Sequence, residues 1–294
     1  RVESFRPTLR ALAQELAAGL GGKSSDFVAA FADPFALRAL CTFVGIPVAE
    51  AEQVARWTSD ISLVFGMSVA QHVTRIQSAL AQLNLYVDEL LRARRAAPAD
   101  DLLSALIAAE ETGDLLSDAE LRSLLVTFLA AGHHTTESQL GNAMVAFMAH
   151  PEQWQLLRQS PLLVATAAEE VVRYCPASVL GVPRIAKAEF VLRELVVAAG
   201  SCVLPITGAA NRDPQVFAAA DRFDITARRR VHLTFGGGIH YCLGAALARA
   251  ELQEALLALS QRLQRPQPTG PATWLPPTEA VYGPVSLPLH DAAA

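Results

Sequence analysis

Apolar residues recur at three- and four-residue spacing through the first half of the chain. This spacing places them on one face of an α-helix, so it predicts a series of amphipathic helices. The predicted helices cover residues 9–20, 35–44, 48–65, 69–95 and 102–109. Because no strand pattern interrupts them, the first half of the chain is predicted to be entirely helical.

A longer helix is predicted to follow, from residue 118 to about residue 148. Ser117 and Glu120 form a capping box at its start, in which both side chains accept backbone N–H groups. The helix is apolar on nearly every side, and such a helix lies in the interior of a protein. The polar run 133–136 within it (His-His-Thr-Thr) therefore predicts either a local break in the backbone hydrogen bonds or a cluster of satisfied polar groups.

The pattern changes in the second half of the chain. Short apolar runs at residues 190–192 and 195–198 predict strands, and residues 208–231 predict irregular structure. A strongly periodic helix is predicted over residues 243–263, and the proline-rich tail predicts a loop with a short hairpin. The predicted fold class is therefore mainly α with a small β portion, in a single domain over residues 1–294.

Composition excludes several classes of protein. With 52% hydrophobic and 18% charged residues over 294 positions, the chain is too apolar to be disordered, and it implies a large buried core. Its longest apolar runs, such as residues 124–132, are far shorter than the roughly 20 residues of a membrane-spanning helix. A formal net charge of −5 with scattered basic residues favours neither a nucleic-acid partner nor an anionic membrane.

The four cysteines indicate a reducing compartment. Cys41, Cys175, Cys202 and Cys242 lie far apart and form no CxxC pair, which argues against a disulfide framework or a zinc ribbon. We therefore expect a cytoplasmic protein. The chain begins at Arg1, inside a helical pattern and without a signal-peptide pattern, so we also expect that an N-terminal region is missing ahead of it.

Cys242 is the first candidate for chemistry. It follows three glycines, which allow the backbone to approach a flat ligand closely, and it lies at the start of the predicted helix 243–263. The N–H groups and the dipole of a helix start favour thiolate over thiol, and a thiolate is a metal ligand or a nucleophile. The alternative is a buried cysteine that packs as a small apolar side chain. These residues alone leave both interpretations open.

The segment Phe235-x-x-Gly238-x-His240-x-Cys242-x-Gly244 resembles the haem-binding loop of the cytochromes P450 at every fixed position. The resemblance runs along nearly the whole chain and is to the soluble bacterial type. It implies a P450-like domain, incomplete at its N-terminus, with haem b as cofactor and Cys242 as the thiolate ligand of the iron. In this loop it further implies that His240 holds a haem propionate and that Phe235 packs near the sulfur. The glycines Gly236 and Gly244 are the other implied cofactor contacts, and Gly244 lets the helix pass close to the porphyrin.

Two motifs upstream of this loop support the resemblance. Glu170 and Arg173 lie at i, i+3 on one helix face, a spacing that on its own predicts a surface ion pair. The resemblance implies instead that the pair is buried and structural, and that Arg222 completes it. It also implies that Arg184 binds a haem propionate, because a buried carboxylate needs a charge-assisted partner. The alternative for Arg184 is a surface arginine at a strand start.

The polar run of the central helix matches the oxygen-binding groove of the same family. The resemblance implies that Ala131 makes room beside the iron and that the Thr135 hydroxyl steers protons to bound oxygen. His134 stands where the family usually has an acid, and histidine can relay protons near neutral pH. A second metal site at His133 and His134 is the alternative, which we disfavour because adjacent helical positions point about 100° apart.

The resemblance implies a haem-thiolate monooxygenase that inserts one oxygen atom of O₂ into a hydrophobic small molecule. Its electrons are expected from NAD(P)H through a ferredoxin reductase and a ferredoxin. No nucleic-acid or membrane partner is expected. The positions expected to face the substrate are Phe65, Thr127, Val179, Leu180 and Tyr282.

Two alternatives to this function remain open. The same haem could run another oxidation, namely coupling, desaturation or a peroxide-driven reaction, and His134 in place of an acid favours this. A different class of protein, a truncated helical domain without haem and with only a binding role, is the other alternative.

Overall fold

A computed structural model describes residues 1–20, 24–66, 68–111, 116–228, 231–276 and 281–292 of the chain. The helices of these residues are α1 (Val2–Ala18), α2 (Asp33–Val44), α3 (Ala51–Ser62), α4 (Val69–Ala96), α5 (Leu102–Glu111), α6 (Asp118–Gly132), α7 (His134–Ala149), α8 (Pro151–Gln159), α9 (Val164–Tyr174), α10 (Thr207–Ala210) and α11 (Ala245–Arg262). The strands are β1 (Ser25–Asp26), β2 (Arg184–Ile185), β3 (Phe190–Leu192), β4 (Leu195–Val197), β5 (Cys202–Val203), β6 (Pro266–Pro268), β7 (Thr273–Trp274), β8 (Pro284–Ser286) and β9 (Pro288–Asp291). The predicted fold class, mainly α with a small β portion, is confirmed.

The helices pack around two apolar clusters. One cluster joins α1, α7, α9 and α11, with the largest fully buried side chains including Trp154, Phe147 and Phe223. The other joins α2, α3, α4, α5 and α6. The segment α6–α7 contributes to both, so it runs through the interior, as the apolar character of its sequence predicts. None of the helices in the described ranges is long and apolar enough to cross a membrane.

The sheets are small and antiparallel. The strands expected at residues 190–192 and 195–198 are present as β3 and β4, which pair with each other, and β2 pairs with β5. The short hairpin expected in the tail is present as the antiparallel pair β7 and β8. The last strand, β9, lies instead between β1 and β6.

The central helix is broken, as its polar run predicts. His133 separates α6 from α7 with φ −89° and ψ −73°. The capping box at Ser117 and Glu120 is present at the start of α6. Next to the break, a Cβ added to Gly132 would lie 2.7 Å from Cδ1 of Leu40, so α2 packs closely against this point. The predicted helix over residues 48–65 is shorter than expected, because 3₁₀ turns at Val48–Glu50 and Leu63–Phe65 flank α3.

A buried carboxyl group joins α7 to α11. Glu251 is buried, and its Oε2 accepts a 3.0 Å hydrogen bond from the Thr136 hydroxyl. Its other oxygen has no hydrogen-bond partner among the described residues. Burial raises the pKa of Glu251 to about 7 from an ordinary value of 4.5.

We predict that Glu251→Gln makes stability less dependent on pH. The native carboxyl keeps a proton that the unfolded chain loses, so the free energy of unfolding of the unmodified protein falls as pH rises from 4.5 to about 7. The glutamine variant lacks this loss, and at pH 8 it should gain about 1–3 kcal/mol in unfolding free energy. Urea unfolding at pH 5 and pH 8 measures the difference. The exposed Glu52→Gln is the control, and a variant that is less stable at pH 8 than the unmodified protein contradicts the raised pKa.

Candidate functional site

The loop that carries Cys242 is shaped by two glycines. Gly236 and Gly238 have φ of 70° and 67°, a region of backbone space that other residues rarely adopt. These turns bring the Cys242 amide back to the Phe235 carbonyl, to which it donates a 2.8 Å hydrogen bond. The Cys242 side chain is exposed and unpaired with any other cysteine, and it lies three residues before the first residue of α11. The loop therefore presents a free, exposed thiol close to the start of α11.

Two side chains, those of Arg249 and His232, lie against the ring of Phe235. The guanidinium carbon of Arg249 lies 4.5 Å from the centre of its ring, and the His232 ring lies 5.5 Å away. Arg249 also donates to Glu169 on α9 through Nε (2.6 Å) and Nη2 (3.2 Å), and to the Tyr241 hydroxyl. Burial alone would raise the pKa of Glu169, but His232 and Arg249 outweigh it and lower that pKa to about 2. The Cys242 loop is thus anchored to α9.

The Glu170–Arg173 pair is buried, as the resemblance implies, with side chains only 2% and 1% exposed. Arg173 donates to Glu170 through Nε (2.7 Å) and Nη2 (2.9 Å). It also donates to three carbonyl oxygens, those of Asn211 (2.9 Å), Ala220 (2.8 Å) and Arg222 (3.1 Å). Arg222 therefore meets Arg173 through its carbonyl, and its own guanidinium, 69% exposed, lies 3.8 Å from Asp224. The Arg222 backbone thus adds a hydrogen bond to the pair.

Asn211 connects this pair to the Cys242 loop. Its carbonyl accepts from Arg173, while its side chain accepts from the Leu233 amide (2.8 Å) and donates to the Thr234 hydroxyl (2.8 Å). Thr234 in turn donates to the Val172 carbonyl on α9 (2.8 Å). Three residues that the sequence analysis missed, Glu169, Asn211 and Arg249, therefore position the loop. Glu169 and Arg249 had a sequence signal, since they lie beside Glu170 and two helical turns beyond Cys242.

The break between α6 and α7 brings several polar side chains together. The Thr135 hydroxyl donates to the Ala131 carbonyl (2.8 Å), across the break. His134 contacts Ser59 on α3 through Nε2 (2.7 Å) and Glu137 through Nδ1 (2.9 Å). The predicted proton-relay residue His134 thus lies between a hydroxyl and a carboxylate, next to Thr135.

One step of the sequence reasoning about this break is wrong. The rings of His133 and His134 lie with their centres 4.3 Å apart, although adjacent positions of a regular helix point in different directions. The backbone of His133 is not that of a regular helix, which is why its ring can approach that of His134. His133 also contacts Asp33 on α2 through Nε2 (2.8 Å).

The positions expected to face a substrate fall in two places. The loop with Val179 and Leu180 meets the tail, because the Tyr282 amide donates to the Ala177 carbonyl (2.7 Å). Thr127 is exposed on α6, and its hydroxyl donates to the Ser123 carbonyl (2.8 Å). The side chain of Phe65 lies outside the part of the chain that is described.

The two side chains expected to bind propionates are both exposed. His240 ends a 3₁₀ turn over Gly238–His240, next to Cys242. Arg184 lies in β2, and its guanidinium donates to the Val182 carbonyl (3.1 Å). Both side chains are therefore free to turn toward an anionic ligand.

Comparison with known proteins decides the family. A family model described as Cytochrome P450 matches residues 58–270. The chain belongs to the cytochrome P450 family. The luteothin monooxygenase of Streptomyces thioluteus is 37% identical over an alignment of 296 positions, which covers 100% of this chain and 72% of that protein. The mycinamicin IV hydroxylase/epoxidase of Micromonospora griseorubida is 38% identical, over 98% of this chain and 73% of that protein. The crystal structure of CalO2 superimposes with a TM-score of 0.90 at 34% identity, over 98% of this chain and 73% of that one.

The protein is therefore an oxidoreductase of the P450 monooxygenase class, and haem is the cofactor of its family. The Cys242 loop fits such a cofactor. Ile239 and Leu243 flank the cysteine and are 97% and 68% exposed, which is unusual for large apolar side chains. A Cβ added to Gly237 or Gly238 would meet no atom within 4 Å, so the loop has open space beside it. A flat apolar group with an iron that accepts a thiolate suits these residues.

We predict that Arg173→Ala destabilises this P450 strongly. Removing Arg173 leaves the Glu170 carboxylate buried without its cation and three carbonyl groups without a donor. The expected loss in unfolding free energy is about 3–5 kcal/mol. Arg38→Ala is the matched control, because Arg38 also pairs with a glutamate, Glu15, through two hydrogen bonds, but at the surface. Arg38→Ala should lower the free energy of unfolding by about 0–1 kcal/mol. Denaturant titration measures both variants, and equal losses in unfolding free energy would contradict a structural role of Arg173.

Proposed function

We propose that this P450 oxidises a hydrophobic small molecule of secondary metabolism, inserting one oxygen atom of O₂, with Cys242 as the ligand of the haem iron. The exposed Cys242 thiol supports this proposal, because it stands in a loop that two left-handed glycines and the Phe235 carbonyl hold in place. When bound, thiolate-ligated haem supplies the activation of molecular oxygen. The residues of the chain supply binding, orientation and proton transfer.

The cofactor contacts follow the family resemblance. His240 and Arg184 are assigned to the two propionates, and their exposed polar side chains support this. Phe235 packs beside the thiolate. Gly236, Gly244 and Ala131 are assigned to close approach, because they carry little or no side chain. Glu170, Arg173 and Arg222 have a structural role, which is to support the loop.

Protons are proposed to reach the reaction through the break in the central helix. The Thr135 hydroxyl donates to Ala131 and can turn to donate to a ligand in the groove. His134 can hold a proton on Nδ1 against Glu137 or on Nε2 against Ser59. An imidazole between these two partners can pass a proton at neutral pH, which is the task of the usual acid at this position.

The substrate class follows from the side chains and from the relatives. Val179, Leu180 and Phe65 are apolar, and Thr127 and Tyr282 add only hydroxyl groups. The names of the relatives refer to luteothin and mycinamicin IV. A hydrophobic secondary metabolite is therefore the proposed substrate, bound mainly by burial of apolar surface.

The electron source is proposed to be a ferredoxin, reduced by a ferredoxin reductase with NAD(P)H. The relatives are bacterial enzymes, and the resemblance to the bacterial type supports separate small electron carriers. The four free cysteines fit a reducing cytoplasm, where such carriers work. A peroxide-driven reaction is the second candidate, favoured by His134 in place of an acid. Product formed from hydrogen peroxide alone, at the rate seen with ferredoxin, reductase and NAD(P)H, would identify the second candidate.

We predict that Cys242→Ser abolishes the thiolate-type spectrum of the ferrous–CO complex. The hydroxyl of serine is not a thiolate and donates far less electron density to iron. The spectrum of the unmodified protein should have the red-shifted Soret band of thiolate ligation, and the variant should lack it. Cys202→Ser, which removes another exposed thiol, is the control. A red-shifted band that survives in Cys242→Ser overturns the assignment, and its absence in the unmodified protein favours the domain without haem.

We predict that Thr135→Ala lowers product formation by about 10–100-fold while oxygen and NAD(P)H are still consumed, since the proton donor is lost but the electron supply is intact. The ratio of product to NAD(P)H consumed measures this. Thr166→Ala is the control, because Thr166 also donates to a backbone carbonyl, that of Leu163, but on α9. If Thr135→Ala forms as much product per NAD(P)H consumed as the unmodified protein, the proton-delivery assignment is wrong.

A further inference from the structure

We propose that the break between α6 and α7 binds one Zn²⁺ ion through His133, His134 and Glu137. One ring nitrogen of each histidine and one carboxylate oxygen of Glu137 lie within 4.8 Å of one another. Two imidazoles and a carboxylate are a donor set that Zn²⁺ takes in proteins, with a fourth position open to water. This site is separate from the Cys242 loop, and although it shares His134 with the proposed proton route, no step of the proposed reaction requires the ion.

His133 has a nitrogen that lacks a partner. Its side chain is only 2% exposed, and its Nδ1 atom has no hydrogen-bond partner among the described residues. A buried polar atom without a partner costs free energy, and native proteins contain few of them. A metal ion bound by Nδ1 would remove this cost.

The opposite nitrogen of His133 already has the partner that a metal-bound histidine uses. Nε2 lies 2.8 Å from the Asp33 carboxylate on α2. A carboxylate behind the imidazole fixes the tautomer, so that Nε2 carries the proton and Nδ1 is the free base.

His134 and Glu137 form the other side of the site. Nδ1 of His134 and Oε2 of Glu137 are 2.9 Å apart, while Nε2 of His134 contacts the Ser59 hydroxyl. Usual Zn–N and Zn–O distances of about 2.0–2.2 Å span a pair at this separation with an angle of roughly 90° at the ion. Zinc would take the place of the proton between these two atoms, and the neutral imidazole would carry its single proton on Nε2, where it donates to the Ser59 hydroxyl. The carboxylates of Asp33 and Glu137 balance the two charges of the ion.

The ion would compete with the proposed proton relay. Zinc on Nδ1 of His134 removes the proton exchange between that nitrogen and Glu137, so it would lower oxygen-dependent product formation. This consequence rests on the proposed function. Zinc binding itself does not, because it is measured without substrate or turnover.

The test uses the haem-loaded protein, freed of any affinity tag and treated with a chelator. Calorimetric titration with Zn²⁺, followed by metal analysis after desalting, should give one ion per chain. His133→Gln and His134→Gln should each weaken binding by at least about 100-fold, and Asp33→Asn by about 10–100-fold. His150→Gln is the matched control, since His150 lies 3.7 Å from Glu152 but has no third ligand beside it among the residues that the structure describes, and this variant should bind zinc unchanged.

X-ray absorption at the zinc edge of the unmodified protein keeps the proposal testable if a variant fails to fold. Imidazole nitrogen and oxygen at about 2.0–2.2 Å support the site, whereas sulfur at about 2.3 Å would place the zinc on a cysteine and overturn it. Fewer than one retained ion per chain, or equal affinity in folded His134→Gln, overturns it as well. A ferrous–CO spectrum without thiolate ligation would overturn the function proposed above but leave the zinc result intact.

Discussion

The buried Glu170–Arg173 pair is the interaction on which the rest of the site depends. Two charges removed from water are costly, and their attraction compensates only when every remaining donor and acceptor is satisfied. Arg173 meets this condition, because all five of its N–H groups are used, two on Glu170 and three on carbonyl oxygens. Those carbonyls belong to Asn211, Ala220 and Arg222, in a segment with little regular structure. The pair therefore fixes a segment of the chain that no helical or sheet hydrogen bonds would fix.

Two adjacent glutamates of α9 divide the work of fixing the Cys242 loop. Glu170 acts through Arg173 and Asn211 on Leu233 and Thr234, ahead of the loop. Glu169 acts through Arg249 of α11, behind it. Because neighbouring helical positions point about 100° apart, one turn of α9 can reach both sides of the loop. The loop with the exposed thiol is thus fixed by these hydrogen bonds and ion pairs on both sides of it in the chain.

The sequence predicted the features that depend on local pattern. Helical spacing predicted α2, α4, α5 and α11 closely, and the Cys242 segment indicated both the family and the loop. Pairing of β9 with β1 could not be predicted, since the partners Leu289 and Ser25 stand at opposite ends of the chain and each strand is very short. No sequence pattern marked the supporting residues Asn211 and His232, because their role depends on the residues that folding brings next to them.

The break at His133 shows why a regular-helix rule fails where function concentrates. A helix that loses its backbone hydrogen bonds must give its free polar groups other partners, and here the Thr135 hydroxyl takes the Ala131 carbonyl. The polar side chains in this otherwise apolar helix are therefore needed by the break itself. The same geometry turns the rings of His133 and His134 toward a common neighbourhood, which ideal helical geometry forbids. One irregular residue thus creates both a place for proton transfer and a place for a cation, and His134, shared by the two, cannot serve both at once.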